Sequence, residues 1–259
     1  MKRVTMFILI SFSLHAEGVT ELSVIEKNQI LENSQINEAT VRQGEINLIG
    51  DSTILDVQVG DAQSQNLISA STIDHSDLQQ GGVDVNGSSL LHTKILVNNQ
   101  LLESHIQNSS HIKQGTVKIT DSGEIKESSF NLSNTINGAT IDSTTLSQSE
   151  IMVEHSTVNG LTFTGVHTIA NENESISITN SDVTQGKLSV IGSSNLTNST
   201  IDMHSNIDDT TITDSSIDLC SVYLSNGADV DGADIHGECS MEESTITGTN
   251  FTQGSIVVY

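Results

Sequence analysis

The side chains of this 259-residue chain with potential for chemistry are nine histidines, 33 carboxylates, two cysteines and a recurring glutamine. The histidines are dispersed. No pair has the spacing of a helical zinc site and none sits in a close ligand cluster, so they read as surface or corner residues. A Gly-x-Ser-x-Gly elbow, a phosphate loop and a glycine-rich dinucleotide turn are all missing, and the many serines fall at positions of structural use. The chain therefore reads as a protein without catalytic residues. Acids gather at Asp208-Asp209 and Glu242-Glu243, with Asp229, Asp231 and Asp234 forming a second acidic corner. Calcium is the cation that such oxygens suit, although the glycine-rich nonapeptide calcium repeat is missing. The alternative is a solvated acidic face that deters lateral clumping. Cys220 and Cys239 are either small core filler or a disulfide. Gln43, Gln80, Gln114, Gln148, Gln185 and Gln253 either stack as an amide ladder or fix a corner before the residue that follows.

Composition narrows the elements that could position these groups. Proline and tryptophan are absent and aromatics are 3%, which excludes an aromatic-rich core, a base-stacking platform and an aromatic-lined sugar cleft. Met1 to Ala16 reads as a secretory leader: Lys2 and Arg3 precede an apolar run from Met6 to Leu14, and Ser13-Leu14-His15-Ala16 supplies small residues for cleavage. That run is too short to span a membrane and no later one replaces it. Losing Lys2 and Arg3 with the leader leaves 7 of the nine Lys and Arg against 33 acids, changing the net charge from −24 to −26. Nucleic-acid binding through phosphates is disfavoured at that charge. The expected organisation is a leader at 1–16, a partial repeat or cap at 17–42 and a repeat domain at 43–259, exported to the cell surface or beyond.

The repeat is the main feature. Gln-Gly occurs at 43, 80, 114, 185 and 253, with Gln148-Ser149 and Leu219-Cys220 as degenerate copies, giving intervals of 34 or 37 residues. Inside each unit aliphatic residues follow steps of about five, as in Val117, Ile125, Phe130, Ile136, Ile141, Leu146 and Ile151; the same steps link Leu188 to Val222 and Val222 to Ile256. Two residues before most of them stands a small side chain, such as Ser194, Ser199, Ser205, Thr210, Ser215 and Cys239. Residues two apart on an extended strand face the same way, so each short strand sends one small and one aliphatic residue inward. Helical steps of three and four are missing. These patterns predict an all-β, parallel β-solenoid built from 34–37-residue units with a five-residue sub-period, its equivalent strands stacked about 4.8 Å apart. One broad or folded layer per unit is favoured over two smaller coils. The strand after Gln-Gly, as at Val83 and Val85, is expected to be the longest, and the three-residue insertions before Ile68 and Ile178 are expected at corners.

The pairs Gly227-Ala228-Asp229-Val230-Asp231 and Gly232-Ala233-Asp234-Ile235-His236 resemble the pentapeptide-repeat family, which forms square coils and whose acidic members include intracellular DNA mimics. The chain departs from that family in its steps of six and eight and in its leader. Leader, Ser/Asn/Gln/Gly-rich repeats and stacked layers together resemble secreted functional-amyloid subunits, of the curli type and the longer-repeat biofilm fibre type. Asn37-x-Ala39-x-Val41-x-Gln43 is similar to part of a curli repeat.

The expected function is an exported structural protein that stacks end to end into fibres, the terminal segment Gln253 to Tyr259 being the opening strand of a further unit. Its partners would be further copies of the chain, together with a secretion or nucleator protein. The alternative is a monomeric surface adhesin or an ice-binding solenoid. Against ice binding, Thr53, Thr72, Thr140, Thr157, Thr200, Thr211 and Thr245 are not expected to share one register. A polysaccharide-cleaving β-helix ranks lower still, without aromatic or basic residues for a cleft.

Overall fold

A computed structural model describes residues 9–14, 19–20, 23–24, 29–49, 53–56, 58–60, 65–170 and 176–259. It is a parallel β-solenoid of about six turns, spaced about 34 residues apart, with no helix among the described residues. One unit makes one layer. The layer that begins at Asp77–Gln80 continues through Val83–Asn86 on the same wall, turns into Ser89–Leu91, runs along Lys94–Leu102 and returns through His105–Gln107. The next unit repeats that path, so Leu78 pairs with Ile112, Val83 with Val117, Leu90 with Ile125, Ile95 with Phe130 and Ile106 with Ile141. Four parallel sheets result, here called A (the wall holding Gln-Gly), B, C and D in path order.

The period of two along each strand decides the core. Ile141 and Ile212 are fully buried, and Ile246, in the same register on the last layer, is 42% exposed because no described strand covers it. Each fully buried aliphatic contributes roughly 1.5–3 kcal/mol of transfer free energy. The small residue before it builds the corner. Ser104 Oγ donates to the Leu102 carbonyl at 2.8 Å and accepts the Ser71 amide of the layer below at 3.3 Å. Ser71 repeats both bonds one layer down, to Ser69 and from Ser34. The residue before each such serine takes positive φ, as in Glu103 and Ala70, and these two bonds offset the strain of that turn.

The layer is folded rather than open. Its buried aliphatics form two clusters: one joins the second arm of sheet A to sheet B and the first half of sheet C, the other joins the first arm of A to sheet D and the second half of C. Between them sheet A bends inward at Gln-Gly until it meets the middle of sheet C, giving each layer two lobes and a waist.

Two expectations need correction. In the units of Gln80 and Gln114 the longest continuous strands are those of sheet C, nine residues in Lys94–Leu102 and Ser129–Asn137, because C forms one side of both lobes. Where Gln43, Gln148 and Gln185 occur, the two arms of sheet A join into ten-residue strands, Thr40–Ile49, Thr145–Glu154 and Asp182–Ile191, and there the strand through the glutamine is the longest. The first insertion is not at a corner: Val59 pairs with Ile95 and Gln65 with Asn98, so five residues span what two span above, within sheet C. Both flanking registers are intact, and residues 61–64 are outside the described set. The second insertion does lie at a corner, between Ile169 of sheet C and Ile176 of sheet D, and its residues 171–175 are outside the described set. Of the segment 1–16 read as a leader, residues 1–8 and 15–16 are outside the described set, while Leu9–Leu14 pairs in parallel with Arg42 to Leu48.

Candidate functional site

Two polar columns run up the waist. Gln43, Gln80, Gln114, Gln148 and Gln185 stack in register from sheet A, all buried. Each amide nitrogen donates to the copy below: Gln80 to Gln43 at 2.8 Å, Gln114 to Gln80 and Gln148 to Gln114 at 2.7 Å, Gln185 to Gln148 at 2.6 Å. Of the two roles open to these glutamines, the amide ladder is therefore formed. It stops where Leu219 takes the next register, leaving Gln185 Oε1 without a hydrogen bond. Gln253, above Leu219, turns its amide to the Cys239 carbonyl instead.

The facing column was not anticipated. Asn66, Asn99, Asn134, His167, Ser205 and Cys239 occupy one register of sheet C. Asn66 donates to Asn99 at 2.8 Å and Asn99 to Asn134 at 2.7 Å, upward, against the sense of the glutamine ladder. The signal lay in the sequence: this register is the small slot two residues before the aliphatic, filled by Ser205 and Cys239 in later units and by amides in earlier ones. The residue after each glutamine meets this column across the waist. Ser149 Oγ accepts from Asn134 Nδ2 at 2.8 Å, and Gly115 has φ +62° with space for no side chain, since a Cβ there would lie 2.9 Å from the same amide.

His167 breaks the amide column. Burial pushes its pKa down to about 3, with the charge of His204 adding to the effect, so the ring is neutral. Its Nδ1 lies 3.3 Å from Asn134 Nδ2, and its Nε2 has no hydrogen bond.

Cys220 and Cys239 are joined as a disulfide across the waist, with Cα atoms 6.4 Å apart. Cys220 stands in the register of Gly186, next to Leu219, at the level where the glutamine ladder is interrupted. Opening the bond removes a closure of 19 residues, for which chain entropy gives about 3 kcal/mol. Cys220→Ser, with Ser149 as precedent for serine in that register, is therefore expected to lower the urea midpoint as much as reduction does. Equal midpoints with and without reductant would show that the crosslink does not stabilise the fold.

The acidic candidates spread over the outer surface. Asp208 stacks beneath Glu242, and the Asp209 amide donates to the Glu242 carbonyl at 3.3 Å, with Glu243 at the same corner one layer up. Asp229 and Asp231 face out from sheet B and Asp234 opens a strand of sheet C. Among the described residues no three His, Cys, Asp or Glu side chains already converge as a metal-ligand group, and the calcium candidates form none.

The seven threonines do not all share one register, as expected, but four of them align. Thr72, Thr140, Thr211 and Thr245 do share one register of sheet D, with His105 and Ser177 between them, while Thr53 and Thr157 belong to sheet B and Thr200 to sheet C. The varied spacing of 34 and 37 hid this alignment. Thr179, Thr213 and Thr247 form a second column two residues along, so three successive layers present paired hydroxyl residues.

On the last layer Phe251, Ile256 and Val258 are 39%, 73% and 68% exposed, whereas Ile217 and Val222 one layer down are buried. Their registers are identical: Phe251 pairs with Ile217, Ile256 with Val222 and Val258 with Leu224.

No protein-family model matches the chain, and no curated protein matches it. Among solved structures it is similar to a hyper-glycosylated fragment of TibA, at 12% identity over 83% of this chain and 100% of that one, with a TM-score of 0.14. It is also similar to HetL, a pentapeptide-repeat protein of the cyanobacterium Nostoc, at 9% identity over 83% and 88% of the two chains, TM-score 0.12. A third is the Streptococcus pneumoniae surface protein and adhesin PfbA, at 9% identity over 96% and 91%, TM-score 0.11. Similarity at this level assigns no function.

Proposed function

We propose that the chain is an exported structural subunit, without enzymatic activity, that builds fibres by adding layer on layer. The observation that carries this reading is the exposed set Ile246, Phe251, Ile256 and Val258, whose equivalents one layer down are covered by a copy of the same unit. A further copy is the partner whose inward pattern fits that surface, and unpaired strand edges supply the backbone bonds. The acidic faces disfavour side-by-side association, so growth runs along the axis. Negative-stain electron microscopy and sedimentation of the purified chain test the reading. Unbranched fibres are expected from the parent and only small species from an Ile256→Lys/Val258→Lys variant; a parent that stays monomeric at high concentration, or a variant that polymerises equally well, refutes it.

A second reading is favoured by the threonine register alone. Ser177/Thr179, Thr211/Thr213 and Thr245/Thr247 form a grid on sheet D with layers about 4.8 Å apart, a regular hydroxyl surface of the kind that could order water or meet ice. Thermal hysteresis from a monomeric preparation would support it over the fibre.

A further inference from the structure

The outward face of sheet C brings two histidines and two carboxylates of adjacent layers together. Strands Thr200–Asp208 and Asp234–Glu242 pair with Asp202 opposite His236 and His204 opposite Glu238. These positions alternate along the strands, so the four side chains make a block roughly 5 Å by 7 Å in which acid and imidazole alternate in both directions. His204 Nε2 lies 3.0 Å from Asp202 Oδ1, and His204 Nδ1 lies 3.3 Å from Glu238 Oε2. The His204 and His236 ring centroids are 6.2 Å apart, at 70° to one another. A neutral imidazole carries one N–H and can satisfy one carboxylate. Glu238, 73% exposed, can also be met by water, but Asp202 Oδ1 is buried without a hydrogen bond and calls for a second ring proton or a cation.

We propose that Asp202, His204 and His236 bind a divalent transition metal of the zinc class, with Glu238 holding the Nδ1–H of His204 so that Nε2 faces the ion. Zinc with ligand bonds of about 2.0–2.2 Å in a tetrahedron separates its donor atoms by roughly 3.3 Å. His204 Nε2 and Asp202 Oδ1 already stand near that separation. Two imidazoles on one tetrahedral ion have ring centroids about 5 Å apart, so His236 completes the set by a side-chain swing of about 1 Å. Before that swing the three groups do not converge on one point. Glu238 acts as the outer carboxylate that commonly fixes the tautomer of a metal-bound histidine, and water would fill the fourth position. Two nitrogen donors favour zinc, cobalt, nickel or copper over calcium and magnesium, which require oxygen shells. The His204 and Asp202 side chains are 37% and 34% exposed, reachable from solvent yet partly shielded by the sheet.

Titration of the untagged full chain with zinc chloride by calorimetry near neutral pH tests this, with cobalt absorption as a readout of geometry. Expected are one saturable equivalent of zinc, tetrahedral cobalt bands, and no displacement by calcium. His204→Ala and His236→Ala should each weaken binding at least tenfold and abolish the cobalt bands, and Glu238→Gln should weaken it about tenfold. All of these side chains point outward, and unchanged thermal midpoints without metal will confirm that the variants fold; Asp202→Asn supplies a nearly isosteric check. The proposal is overturned by the lack of a saturable equivalent, or by an equivalent that survives in the His204→Ala/His236→Ala double variant, which would place the zinc on other histidines such as His92 between Asp56 and Glu127.

Discussion

Gly81→Val is expected to destabilise the solenoid by about 4–7 kcal/mol, while Gly254→Val, in the same register, costs about 1–2. Both glycines have φ near +60°, so both substitutions carry the left-handed strain of about 1–2 kcal/mol. They differ in what faces them. A Cβ on Gly81 would lie 2.3 Å from Val97 Cγ1 and 2.5 Å from Asn99 Oδ1, whereas nothing stands within 4 Å of the equivalent atom on Gly254. Valine at 81 must therefore push sheet C away. That displacement takes Asn99 off its bonds to Asn66 and Asn134, at about 1–3 kcal/mol for each buried amide left unpaired. Urea unfolding of the two variants beside the parent measures the difference; equal shifts would mean that closure of the waist contributes nothing beyond backbone strain.

The second large effect is a dependence on pH carried by His167. Its folded pKa of about 3 lies below the unfolded value near 6.5, so between those limits the unfolded chain holds one more proton. The stability due to the neutral buried ring is complete above about pH 6.5 and falls as pH drops, by about 1.4 kcal/mol per unit, reaching roughly 5 kcal/mol near pH 3. His167→Asn removes that slope and extends the column of Asn66, Asn99 and Asn134 by one amide. Carboxylates titrate in both proteins, so the difference between the two stability curves isolates the histidine. The curves should diverge steadily from pH 6.5 to pH 4.5; parallel curves would show that the ring is hydrated or already protonated in the folded state.

Both effects arise at the waist, and its two walls were legible to different degrees. The glutamines recur with a following glycine in most units, so the motif marked one wall. The opposite wall holds a single residue per layer whose chemistry changes from amide to imidazole to hydroxyl to thiol. A search for repeated residue types passes over it, and only the shared register reveals a column. Leu219 shows the converse. Its departure from glutamine looked like decay of the motif, but it marks the level at which the amide ladder stops and a disulfide ties the walls together instead.

The sequence alone determined which way each residue faces. Steps of five with a small partner two positions earlier define an inward side through the alternation of a strand, and the conserved spacing between units forces equivalent strands to stack. Parallel β-layers, an aliphatic interior and glutamines in register follow from those local rules. Tertiary structure decided what meets across the layer and between layers: Gln-Gly against asparagine, Cys220 with Cys239, Thr72 aligned with Thr140, and His204 beside His236 although 32 positions separate them. Periodicity reports orientation about the backbone, whereas these contacts depend on where the chain bends and how insertions shift the register, and those are set by the packing of whole layers.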